Sequence, residues 1–76
     1  MVTKVRSTVD GGACTITLAD PERRNVLSAQ LIVDLVAAID AAEADDAVRV
    51  VVLTNEGSTF CAGADLSERS AIDDAD

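Results

Sequence analysis

From Thr3 to Val9 the chain alternates, with Val5, Ser7 and Val9 on one side and Lys4, Arg6 and Thr8 on the other. A period of two marks a half-exposed strand. Asp10-Gly11-Gly12 follows, and successive glycines accept positive φ without steric cost, so a tight turn is expected. Cys14, Ile16 and Leu18 then alternate with Thr15 and Thr17, which makes the first eighteen residues a β-hairpin. Asp20-Pro21-Glu22-Arg23-Arg24-Asn25 has no apolar period and holds the only proline, the pattern of a surface loop. Ser28 offers a side-chain oxygen to the free N–H groups of a following helix. Leu31, Ile32, Leu35, Val36 and Ile39 recur at helical spacing, an apolar stripe about 25 Å long if roughly sixteen residues are helical.

Ala44-Asp45-Asp46-Ala47 breaks the helical pattern, and Val48 to Thr54 is a β-branched run in which Val50, Val51, Val52 and Leu53 are consecutive apolar residues. Such a run suits a central strand covered on both faces, and it is expected to be the most buried element. Asn55-Glu56-Gly57-Ser58 reads as a turn, leading into Phe60-Cys61-Ala62-Gly63-Ala64-Asp65-Leu66. Beyond Leu66 the pattern is weak and acidic, and a mobile tail is expected from about residue 68. The order strand, strand, helix, buried strand, glycine loop predicts an α/β layer architecture. Three strands cover such a run poorly, so further neighbours are implied.

The length changes how this pattern is read. A chain of 76 residues buries only about 60–65% of the surface its unfolded form exposes, and a core of that size supplies roughly 3–5 kcal/mol. A partner surface is therefore expected. With 49% hydrophobic residues the chain is globular, and with Phe60 its single aromatic the core must be aliphatic and thin. The net charge of −8 argues against nucleic acid as a partner, since phosphate-backbone binding needs a basic face. The clusters Asp40, Glu43, Asp45, Asp46 and Asp73, Asp74, Asp76 read as solvated surface. Cys14 and Cys61 lack CxxC spacing and no histidine is present, which argues against a metal site; both read as small buried hydrophobes. No signal peptide precedes Val2 and no segment reaches the length of a membrane span, so a cytoplasmic protein with reduced thiols is expected.

The chemistry concentrates at Ser58 to Leu66, where small residues flank a glycine directly after a strand and turn. If Asp65 or Ser67 begins a helix, the amides of Gly63 and Ala64 are free to donate to a developing negative oxygen. The same Ala/Gly pattern also occurs wherever a helix packs closely on a sheet. Cys61 beside that turn is a nucleophile or a structural thiol, and no base accompanies it. Arg23 and Arg24 either engage a ligand phosphate or serve solubility. Asp65 is a helix cap or a general base. Without histidine, no Ser-His-Asp or Cys-His arrangement exists.

Taken together, Gly11-Gly12 before Ile16-Thr17-Leu18, Asp20 to Ser28, the helix with Leu31 and Leu35, Asp46 to Thr54, and Phe60 to Leu66 resemble the enoyl-CoA hydratase/isomerase (crotonase) family in order and spacing, up to about Glu68. The resemblance implies the N-terminal part of a crotonase-like ββα spiral, incomplete within residues 1–76. It implies an acyl-CoA thioester substrate, with coenzyme A as part of the substrate and no separate cofactor or metal. It also implies a homo-oligomer, or completion by a C-terminal crotonase chain. Position by position, the Ala64 amide matches one of two oxyanion donors and the Ala62 carbonyl matches the group that meets adenine. Gly63 permits close approach, Asp65 and Leu66 match the CoA and acyl path, and Arg24 and Val26 border the nucleotide portion.

The family's second oxyanion donor and its two catalytic glutamates match nothing in these residues, and neither Glu56 nor Glu68 aligns with them. Loss of one oxyanion donor alone costs about 10²–10³ in rate, so the isolated chain is expected to be nearly inert. Two functional readings stand, beside the blander alternative of a decayed reading frame with no function. One is a truncated enoyl-CoA hydratase/isomerase; the other is a small non-catalytic acyl-CoA-binding or interaction module that associates with full-length family members.

Overall fold

The structure, a computed structural model, describes residues 3–64. Strands β1 (Val5–Asp10) and β2 (Ala13–Leu18) form the expected hairpin, paired from Val5 with Leu18 to Asp10 with Ala13. Gly11 (φ 58°) and Gly12 (φ 87°) are both left-handed, which a two-residue hairpin turn matching the strand twist requires. A short 3₁₀ turn at Pro21–Arg23 follows, then helix α1 (Ala29–Ala44) and strand β3 (Val50–Asn55). Ser28 caps α1 as expected, its hydroxyl oxygen accepting from the Leu31 N–H at 3.2 Å.

β3 runs parallel to β2, from Ala13 beside Val50 to Leu18 beside Asn55, and the sheet order is β1-β2-β3. A parallel pair needs a crossover, which α1 supplies. The register divides the side chains into two faces. Val5, Leu18 and Asn55, then Ser7, Ile16 and Leu53, then Val9, Cys14 and Val51 share the face toward α1. Arg6, Thr17 and Thr54, then Thr8, Thr15 and Val52 share the other. Val5, Cys14, Ile16, Leu18, Leu31 and Ala42 form the buried core, with Leu27, Leu35, Ala38, Val48 and Cys61 packed against it.

Two expectations are corrected. β3 is an edge strand rather than a covered central one, and Val50, Val51, Val52 and Leu53 are all about half exposed. The centre of the sheet is β2, because α1 packs against β1 and β2 and leaves β3 uncovered among the described residues. The helical stripe is also narrower than its sequence. Leu31, Leu35, Ala38 and Ala42 face the sheet, while Ile32, Val36 and Ile39 remain exposed on the flank. Val9, at the turn end of the hairpin, is half exposed as well. The expected mobile tail from residue 68 lies outside the described residues. No described helix is long and apolar enough to cross a membrane.

Candidate functional site

The loop before α1 and the glycine loop after β3 lie against each other. Ala62 N–H donates to the Arg24 carbonyl at 3.0 Å, Leu27 N–H donates to the Gly63 carbonyl at 2.8 Å, and Leu27 pairs with Ala64 in a parallel bridge. Four of the five described site residues therefore meet around a short two-stranded seam: Arg24 on one side, Ala62, Gly63 and Ala64 on the other. Val26, half-buried, sits between the rungs on the first strand, and Ala64 closes the second. Asp65 and Leu66, and the helix start proposed at Asp65 or Ser67, lie outside the described residues.

Backbone polar groups at this seam divide into used and free. The Gly63 N–H points back to the Cys61 Sγ at 3.4 Å, so it does not face outward as the sequence suggested. Among the described residues the Ala64 N–H has no acceptor and the Ala62 carbonyl has no donor, and both residues are exposed. Gly63 holds φ at 90°, with open space where a side chain would start. A left-handed residue at that point turns the chain so that one amide bonds inward and the next does not. The Arg24 side chain is exposed and forms no ion pair among the described residues.

Cys61 is half-buried rather than buried, because its thiol sits at the core margin beneath the loop. It and Cys14 are both free thiols. No group of three histidine, cysteine, aspartate or glutamate side chains among the described residues is placed to hold a metal.

The sequence reading passed over Asn25. It is fully buried with φ 53°, although it ends a segment expected to be surface loop. Its side-chain oxygen accepts from Asp20 N–H at 2.8 Å, and its amide donates to the carbonyls of Glu56 at 3.0 Å and Thr59 at 2.9 Å. Asp20 is buried too, with one carboxylate oxygen 3.5 Å from Lys4 Nζ and the other without a partner among the described residues. Only Pro21 to Arg24 are exposed in that segment. An asparagine in a polar stretch followed by an apolar pair was the one available signal, since asparagine tolerates the left-handed region.

Among the described residues the glycine loop of this α/β unit thus leaves one amide without an acceptor and one carbonyl without a donor. The family model for enoyl-CoA hydratase/isomerase matches residues 8–76. A solved enoyl-CoA hydratase/isomerase from Mycobacterium paratuberculosis superposes with a TM-score of 0.83 at 45% identity, covering 86% of this chain and 24% of that one. The enoyl-CoA hydratase of Mycobacterium tuberculosis gives 0.79 at 45% identity, covering 84% and 28%. An enoyl-CoA hydratase of Alternaria alternata is 42% identical over 64 residues, 79% of this chain and 22% of that one. The chain belongs to the enoyl-CoA hydratase/isomerase family, with the crotonase-like α/β fold expected from its sequence. It spans between 22% and 28% of the length of these relatives.

Proposed function

We propose that this chain forms the N-terminal half-site of an enoyl-CoA hydratase/isomerase, binding an acyl-CoA thioester with the Ala64 amide as one donor to the thioester oxygen. The observation that carries the reading is the N–H of exposed Ala64, without an acceptor among the described residues while the Ala62 and Gly63 N–H groups are hydrogen-bonded. A donor fixed before charge develops stabilises an enolate oxygen without reorganisation. Gly63 lets the thioester approach the backbone, the free Ala62 carbonyl accepts from the adenine amino group, and exposed Arg24 with Val26 borders the nucleotide portion. The family resemblance assigns Asp65 and Leu66 to the CoA and acyl path. The second oxyanion donor and the catalytic acids come from protein beyond these residues, supplied as further chain or by another crotonase chain in an oligomer.

The test is a titration of the isotopically labelled 76-residue chain with butyryl-CoA, followed at the backbone amides. Saturable shifts centred on Ala64 are expected, and shifts spread evenly over the sheet would count against the site. A second reading, a non-catalytic interaction module that associates with longer family members, is favoured by one observation. Val50 to Leu53 of edge strand β3 are all about half exposed, and Ile32, Val36 and Ile39 of α1 are exposed as well.

A further inference from the structure

We infer that the Asn25 carboxamide is the positioning group that sets where the Ala64 amide stands, and so controls thioester binding without touching the ligand. The inference rests on the acyl-CoA reading above.

Asn25 lies between the two rungs of the seam in chain order, Arg24 bonding to Ala62 on one side and Leu27 to Gly63 on the other. Its carboxamide has all its hydrogen-bonding groups engaged. One oxygen takes the Asp20 N–H, and the two amide hydrogens go to the carbonyls of Glu56 and Thr59. The orientation is fixed chemically, because one partner only donates and the other two only accept. This single side chain therefore joins the start of its own loop to both ends of the turn that launches the glycine loop. The Asn25 side chain is fully buried, so its own polar groups cannot turn to solvent in exchange for these bonds.

Few other residues meet these demands. Arg24 (φ 56°) and Asn25 (φ 53°) are consecutive left-handed residues, a conformation that asparagine tolerates better than most. Aspartate would set an oxygen against two carbonyls. Glutamine would push an additional methylene into a closed site. Asn55 is a weaker reserve: its one amide is shared among the carbonyls of Glu56 (3.3 Å), Gly57 (2.9 Å) and Thr59 (3.2 Å).

Two variants of the 76-residue chain test the assignment. Asn25→Gly keeps the left-handed backbone and removes the carboxamide; Asn25→Asp keeps the shape and reverses the donor. Hydrogen exchange reports the seam at the Leu27 and Ala62 amides and the core at Ile16 and Leu18, and butyryl-CoA reports Ala64. In both variants, exchange at Leu27 and Ala62 should accelerate at least about tenfold more than at Ile16 and Leu18. Butyryl-CoA affinity read at Ala64 should fall at least about tenfold. Equal acceleration at all four amides, or a seam as protected as in the wild type, would overturn the positioning role. A wild-type seam that is unprotected would overturn it too. If the wild-type Ala64 amide ignores butyryl-CoA while the seam responds to the variants as expected, the positioning role is supported and the acyl-CoA reading is the one that fails.

Discussion

Gly57 offers a quantitative test of how tightly the two loops are locked. Its φ is 80°, and a Cβ built there would stand 2.9 Å from Pro21 Cβ and 3.6 Å from Pro21 Cα. Pro21 cannot retreat alone, since Arg24 N–H bonds to its carbonyl and the Asp20 carbonyl takes both Arg23 and Asn25 N–H. Gly63 provides the control, with φ at 90° and nothing within 4 Å of the added atom. For both positions, alanine incurs a left-handed backbone cost of about 1–2 kcal/mol. Only Gly57→Ala adds overpacking, about 1–3 kcal/mol, for a total of about 2–5 kcal/mol. Against a stability of roughly 3–5 kcal/mol, Gly57→Ala should leave the chain largely unfolded and Gly63→Ala should not. In urea, with a slope of about 1 kcal/mol/M for so small a chain, the Gly63→Ala midpoint should fall by about 1–2 M. The Gly57→Ala midpoint should fall at least about 1 M further, or the transition should disappear. Coincident midpoints would refute the argument, because they would mean that Pro21 and its loop yield at no cost.

Ser28→Ala removes the hydroxyl oxygen that accepts from Leu31 N–H, and thermal or urea unfolding should register a loss of about 1 kcal/mol; no loss would show that the cap is supported by other contacts. Val52→Lys, on the half-exposed outer face of edge strand β3, should change the stability of the isolated chain by no more than about 0.5 kcal/mol. Sedimentation of the same variant should show weaker association if β3 is a docking surface, and unchanged association would remove support for the interaction-module reading.

Much of the fold was legible because its signals are local. The hairpin is written in the alternation of Cys14, Ile16 and Leu18 and in two adjacent glycines, and the start of α1 in Ser28 followed by apolar residues at helical spacing. β3 misled for a physical reason. Four apolar residues in succession state that a strand is built to be covered, but not which residues cover it, and among those described none does. The helix was overread in the same way: Ile32, Val36 and Ile39 have the spacing of a buried stripe, yet only the Leu31, Leu35, Ala38 and Ala42 line meets the sheet.

The candidate site was legible as a motif and not as a mechanism of assembly. Gly63 and Ala64 stood out as small residues after a strand, but sequence could not show that Cys61 takes the Gly63 amide while the Ala64 amide has no acceptor among the described residues. Asn25 was missed because its partners at Glu56 and Thr59 are distant in sequence and are main-chain carbonyls, which carry no residue-specific signal.

The central claim, that the Ala64 amide donates to a thioester oxygen, is tested most directly by replacing the Gly63–Ala64 peptide bond with an ester in a synthetic 76-residue chain. That change removes the N–H and also weakens the Gly63 carbonyl that accepts from the Leu27 N–H, so binding of coenzyme A serves as the control for damage to the seam. Affinity for butyryl-CoA should fall about three- to tenfold, the worth of one hydrogen bond, while affinity for coenzyme A, which has no thioester oxygen, stays the same. Equal affinities of amide and ester chains for butyryl-CoA would contradict the account.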